Sequence, residues 1–347
     1  MTVKLEVIEV LPGEIAHHYE PDSELELYSQ SNRFWGKVGE KNFTVTLPMG
    51  TLKKVQSLTR LSRRLTRTDK SSATFNYARD GVIILYLGQV YFFCIRKEQL
   101  THTGTLKQCR NILHCGFAVT GQGIYFGEYG ANPERQEVPL WLSETDGRSW
   151  KVVYNFPCGS IKHVHGVYSD PYSDSLWVPT GDESGECGLF EFPSGDVSRV
   201  KRHGNGQQQW RPVSMFFERD RIVWGMDSQL QISYLQSFNR VTSELSQGRS
   251  FPGPVWYSKQ LKDGMSILQS TVEIGPGSRS RYAHLFVSND LEEWREIARY
   301  RKDLYPLSFF KFGVIAFADG DQSSDDFVVF GEALSGLDGK ILRVSLR

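Results

Sequence analysis

Two histidines one residue apart, His163 and His165, open the stretch HVHGVYSDPYSDSLWVPTGD, and Asp182 closes it. Imidazoles and carboxylates exchange protons near neutral pH, and both are ligands for divalent cations. In a strand, residues two apart share a face, so HVH presents its two imidazoles together. The polar turn SDPYSD folds the segment back on itself. That predicts His163 opposite Gly181 or Asp182, and His165 opposite Pro179 or Thr180.

Similar chemistry recurs along the chain. Glu128, Asp227, Glu273 and Glu332 also end strand-like runs, while His114, Gln209 and Arg211 stand near the starts of others. Gathered at one opening, these groups suit three tasks. Glycoside hydrolysis requires a proton-donating acid and a second carboxylate, for which Glu128, Asp182, Asp227 and Glu273 are the candidates, with His163 and His165 beside them. Elimination from a uronic acid requires a base, His163 or His165, and a cation such as Arg211 to neutralise the sugar carboxylate. A divalent ion, where one takes part, would be held by His114, His163, His165 and Gln209. The third task is sugar binding without catalysis. Tyr129, Trp210 and Trp256 are the aromatics expected nearest the opening, and Arg281 is a further candidate contact for substrate.

The elements that must bring these residues together are strands. Short aromatic and β-branched runs alternate with Gly, Asp, Ser and Asn turns, and helical periodicity is confined to residues 51–65 and a weaker stretch near Lys302. Hairpins start at Phe75, Leu113, His163, Gln209, Tyr257 and Phe309, roughly 40 to 50 residues apart, each trailed by further strand-like runs. This period of four strands predicts an all-β fold, a six-bladed β-propeller closed by an amino-terminal strand, with seven blades as the alternative. The whole chain, 1–347, then reads as one domain. Residues 1–71 supply closing strands and a basic segment, and 72–347 supply the repeats.

Composition narrows the partners. Forty basic and forty acidic residues balance, which does not favour nucleic acid as a ligand. The basic run LTRLSRRLTRTDK from Leu58 reads first as a solvated helix face or loop, and second as a patch for an anionic surface. Five scattered cysteines show neither metal-ligand spacing nor a disulfide framework. No apolar run is long enough to span a membrane, and the alternating start MTVKLEVIEV lacks a signal-peptide core. The expectation is a cytoplasmic protein whose partner is an oligosaccharide or polysaccharide.

SETDGRSW, residues 143–150, resembles the Asp-box turn of sialidase-type propellers, with Thr145 standing where the aspartate is expected. SNDLEEW, residues 288–294, resembles a shortened copy that keeps Asp290. IYFGEYGANPER, the HVHGVYSDPYSDSLWVPTGD hairpin, QQWR with VWGMDS, and RYAHLFVSND are similar to segments of poorly characterised glycosyl-hydrolase-like proteins carrying this repeat. The resemblance runs over residues 110–320 and implies a propeller with a carbohydrate-related role. The sialidase arginine clamp and its opening motif have no counterpart, so the resemblance does not imply sialidase activity.

Overall fold

The computed structural model describes residues 3–347. The chain is an all-β propeller with seven blades, the larger of the two numbers the strand period allowed. The extra blade comes from residues 15–46, whose four strands form a complete antiparallel sheet rather than a closing appendage. The other blades span 71–105, 117–156, 163–206, 216–250, 255–301 and 314–346. The amino-terminal strand Leu5–Leu11 adds to the last of these by pairing antiparallel with Ile341–Leu346, from Leu5 opposite Leu346 onward.

Two compact units divide the blades. Residues 70–213 carry three, and residues up to 69 together with 214–347 carry four. Within each unit the blades pack face to face. Second strands such as Gly81–Tyr86, Gly123–Gly127 and Ser266–Ser270 are buried at every residue, whereas the outer strand Lys41–Thr46 alternates. That contrast follows from packing: a strand covered on both faces is buried along its whole length, and an edge strand only on one face. Ile83, Phe92, Ile124 and Phe126 fill one such interface, and Leu140, Phe156, Val164 and Phe192 fill the next. Phe216, Phe251, Leu268 and Trp294 do the same in the four-blade unit.

Gly127 and Gly225, which close second strands just before Glu128 and Asp227, have a packing role. A Cβ on Gly127 would fall 2.4 Å from Val164, and one on Gly225 would fall 2.5 Å from Val255. The second strand of one blade therefore ends where the first strand of the following blade presses against its backbone. No side chain fits between them.

The basic run does not form a solvated face. It builds two short helices, α1 (Thr51–Gln56) and α2 (Arg60–Thr66), the second opened by a Thr59–Ser62 capping box. Arg60, Arg63 and Arg64 point inward. Arg60 binds Glu14 and Asp69, each at 2.9 Å, and Asp338 at 2.8 Å. Arg63 also binds Glu14, and Arg64 meets Asp303 at 2.6 Å. Arg64 Nη2 donates to the Phe310 carbonyl at 2.6 Å, tying α2 to α3 (Leu307–Phe310). The arginine stripe is the anchor that holds the hairpin down.

The substitution Gly225→Ala should lower the urea midpoint by the equivalent of about 1–3 kcal/mol, the usual cost of overpacking. Adding Val255→Ala should recover part of that loss. A neutral Gly225→Ala variant would show that the contact is not tight.

Candidate functional site

The centre lies within the three-blade unit, on the blade spanning 163–206. His163 pairs with Gly181 and Val164 with Thr180, and the His165 amide donates to the Pro179 carbonyl at 2.9 Å. This is the register the turn predicted. Asp182, one residue past the second strand, is thereby carried to the imidazoles. Its Oδ1 lies 3.3 Å from His163 Nε2 and 3.5 Å from His165 Nε2.

Two cations complete the ring. Arg211 Nη2 donates to Asp182 Oδ1 at 2.7 Å, and Lys162 Nζ donates to Oδ2 at 2.7 Å. Gly181 makes the first contact possible. The Arg211 stem lies across it so closely that a Cβ there would sit 3.0 Å from Arg211 Cγ. Gln208 braces the arrangement, with Nε2 donating to the Asp182 carbonyl at 2.8 Å and Oε1 accepting from Arg211 at 3.3 Å. Tyr129 closes one side, its ring 4.1 Å from that of His163 and 6.2 Å from that of His165. The imidazoles and Arg211 are buried. Asp182 and Lys162 form the more exposed edge, with side chains 13% and 23% accessible.

The tautomers follow from the partners. His163 Nδ1 donates to the Gly130 carbonyl and His165 Nδ1 to the Pro212 carbonyl, each at 2.7 Å. A carbonyl only accepts, so Nδ1 carries the proton in both rings. In the neutral ring Nε2 then bears a lone pair. His163 Nε2 makes no hydrogen bond, although it lies within charge-contact range of the carboxylate. Burial holds the His163 pKa below its usual value, outweighing the pull of Asp182. For Asp182, burial acts to raise the pKa, but the two imidazole contacts and Arg211 overcome it and hold the carboxyl well below the usual range. Asp182 is therefore a carboxylate held as an anion, with two basic side chains, Arg211 and Lys162, beside it.

Such a group also has the form of a metal site. His163 Nε2, His165 Nε2 and Asp182 Oδ1 lie within 4.8 Å of one another. The two nitrogen–oxygen separations, 3.3 and 3.5 Å, match the edge of about 3.4 Å expected of a tetrahedron with bonds near 2.1 Å. Imidazoles whose Nδ1–H is tied to a carbonyl are oriented as metal ligands usually are. Of the four expected ligands, His163 and His165 meet. Asp182 joins them rather than His114, which is half-buried in the turn before the 117–156 blade. Gln208, the neighbour of the expected Gln209, reaches the centre. Lys162 and Gln208 escaped the sequence reading, although each lies within three residues of a group it had singled out.

Other candidates have different surroundings. Both oxygens of Glu128 accept backbone N–H groups, from Lys107 at 2.9 Å and Gln108 at 2.7 Å, and Oε1 also takes the Trp141 indole at 3.0 Å. Trp210 is buried against Gly204. Asp227 and Glu273 are buried at second-strand ends in the four-blade unit. Glu332 in that unit lies 3.6 Å from Lys311. Trp256, also there, is half-buried edge-on to Phe312, and Arg281 is exposed. All five cysteines are free thiols. No helix among the described residues is long and apolar enough to cross a membrane.

No family model and no curated protein matches the chain. Among solved structures it is similar to a chain of the mitotic checkpoint complex, with a TM-score of 0.59, 8% identity, and coverage of 98% of this chain and 94% of that one. It is also similar to the WD40 repeats of RRP9, with 0.56, 10%, 99% and 98% for the same measures, and to U3-55K, with 0.54, 10%, 99% and 98%. At these identities the likeness establishes the propeller fold alone.

Titration with zinc or manganese should raise the thermal midpoint at one ion per chain, and His165→Gln should abolish the rise. An unchanged midpoint with either metal would leave a proton as the only cation between the imidazoles. The depressed His163 pKa predicts acid sensitivity as well. Below the unfolded value near 6.5 the unfolded chain binds the proton more readily, so stability falls as pH drops from about 7 toward 5. Urea unfolding of His163→Gln should show a shallower slope across that window.

Proposed function

We propose that the chain is a carbohydrate-active enzyme that binds a carboxylate-bearing sugar at the Lys162–His163–His165–Asp182–Arg211 centre and cleaves it by elimination. One observation carries this reading: both imidazoles present Nε2 to a carboxylate that Arg211 and Lys162 hold ionised. The centre thus contains a base and cationic side chains, and the carboxyl it is built around, Asp182, is held ionised rather than able to give up a proton. Hydrolysis through a carboxylate pair requires such an acid. Asp182 has the opposite character, and Glu128 is engaged by backbone and indole donors.

In this reading the sugar carboxylate meets Lys162 at the accessible edge, with Arg211 behind it. His163 Nε2 takes the proton from the carbon next to the carboxylate. The electrons of that C–H bond form a double bond to the neighbouring carbon, whose glycosidic C–O bond breaks. The leaving oxygen takes up the proton that His163 has removed and departs as an alcohol, which returns the imidazole to its neutral form. Asp182 orients the cations and stabilises the imidazolium that forms.

The carbohydrate class rests on the sequence resemblance of two turns to the Asp-box, and both turns are closed by side-chain hydrogen bonds. In 143–150, Ser143 Oγ accepts the Gly147 amide and Thr145 Oγ1 accepts the Ser149 amide, both at 2.8 Å, so the threonine hydroxyl fills the expected aspartate's role. In 288–294, Asp290 Oδ1 accepts the amides of Glu292 and Glu293 at 2.9 Å. Trp150 and Trp294 pack inward behind these turns.

Incubation with acidic polysaccharides should release oligosaccharides carrying the ultraviolet absorbance of an unsaturated uronic acid. His163→Gln and Arg211→Lys should each lower kcat/KM about a hundredfold or more, with thermal midpoints measured as a folding control. New reducing ends without that absorbance would defeat elimination and return the chemistry to a carboxylate pair, with Asp227 and Glu273 as the residues to substitute next.

A further inference from the structure

The α1–α2 hairpin is amphipathic the wrong way round for a globular surface. On α2 the inward face is Arg60, Arg63 and Arg64, spaced three and four apart, and the outward face is Leu61 and Leu65. Leu52 and Val55 on α1 and Leu58 between the helices are exposed too. These five side chains are between 39% and 74% accessible. Ordinarily such residues are what hold a helical hairpin to its domain. Here ion pairs to Glu14, Asp69, Asp303 and Asp338 do that work, and the apolar face is left over.

The surface continues onto the segment that α2 touches. Leu304 is 91% accessible and Phe309 63%, on either side of the start of α3. Arg64 lies beneath, 5.5 Å from the Tyr305 ring and 5.9 Å from that of Phe310. A contiguous apolar area of this kind on a soluble domain marks something that covers it.

Charge identifies the occupant. Residues 49–67 contain no Asp or Glu. Of their basic residues, Arg60, Arg63 and Arg64 are neutralised within the fold. Lys53, Lys54 and Arg67 have no carboxylate partner among the described residues, and Lys54 and Arg67 are exposed. Leucines and a phenylalanine at the centre, with unneutralised basic groups around them, complement the acyl–headgroup boundary of an anionic bilayer. A second copy of this chain is a poorer fit. Two-fold pairing would set the same lysines and arginine against themselves around the seam.

We propose that the α1–α2 hairpin, together with Leu304 and Phe309, is a docking surface by which the chain sits on an anionic lipid membrane. The helices lie in the interface and do not cross it. The buried arginine network keeps the leucines outward, so the surface is preformed rather than created on contact.

Co-flotation with vesicles of phosphatidylcholine alone, or with one-third phosphatidylglycerol, tests this. The chain should float with the anionic vesicles and remain behind with the neutral ones, and added salt should weaken the binding. Leu58→Ser with Leu61→Ser should reduce binding about tenfold or more without moving the thermal midpoint, because neither side chain is buried in the fold. Lys53→Glu with Lys54→Glu should do likewise. Absence of binding to anionic vesicles at low salt would overturn the proposal. So would undiminished binding by the leucine variant. A concentration-dependent dimer that the leucine substitutions dissolve would do so too, assigning the face to a second copy instead.

Discussion

Close approach at the glycines that end three of the second strands, Gly127, Gly181 and Gly225, governs where the chemistry of this protein stands. At Gly127 and Gly225 the following blade comes near enough that even a methyl group would collide with a valine. At Gly181 the neighbour is the stem of an arginine. Because that stem lies flat over the glycine, its guanidinium is delivered to the next residue, Asp182, and the same strand end sets that carboxylate opposite two imidazoles. A larger residue at 181 would push Arg211 away and leave a buried carboxylate short of a cation, an arrangement that costs several kcal/mol.

The chain buries charge in two distinct ways. In the four-blade unit, Arg60, Arg63 and Arg64 meet a matching set of carboxylates, and the outcome is mechanical: a hairpin with little apolar contact of its own is held in place. In the three-blade unit Lys162 and Arg211 both meet Asp182, and the imidazole Nε2 atoms face that anion without protons to offer in their neutral form. The arginine network of the hairpin is a clamp. The imidazole centre retains a lone pair beside an accessible edge, which is something left to give a ligand.

Much of this was legible in the residues. The four-strand period, the register of the 163–182 hairpin and the meeting of His163, His165 and Asp182 all follow from alternation and turn placement, which are local properties. Other features were not. Lys162 and Gln208 carried no motif, and Glu128 looked equivalent to Asp182 until its oxygens were found on the amides of Lys107 and Gln108. The amino-terminal strands could either close the last blade or build a seventh, since they lack the acid ending that marks the other hairpins, and their mutual pairing decides for a blade.

The sequence by itself determined the strand class, the pairing within hairpins and the shared face of the two imidazoles, because each depends on side-chain period and on turns of a few residues. Only the tertiary structure decided which cations neutralise Asp182, which ring nitrogen is bare, and that the arginines of the basic run face inward while its leucines face out. Those outcomes depend on partners tens to hundreds of residues away. An arginine and a leucine on one short helix can exchange inside and outside whenever distant carboxylates make burial of the charge favourable, and no local pattern records whether those carboxylates will be there.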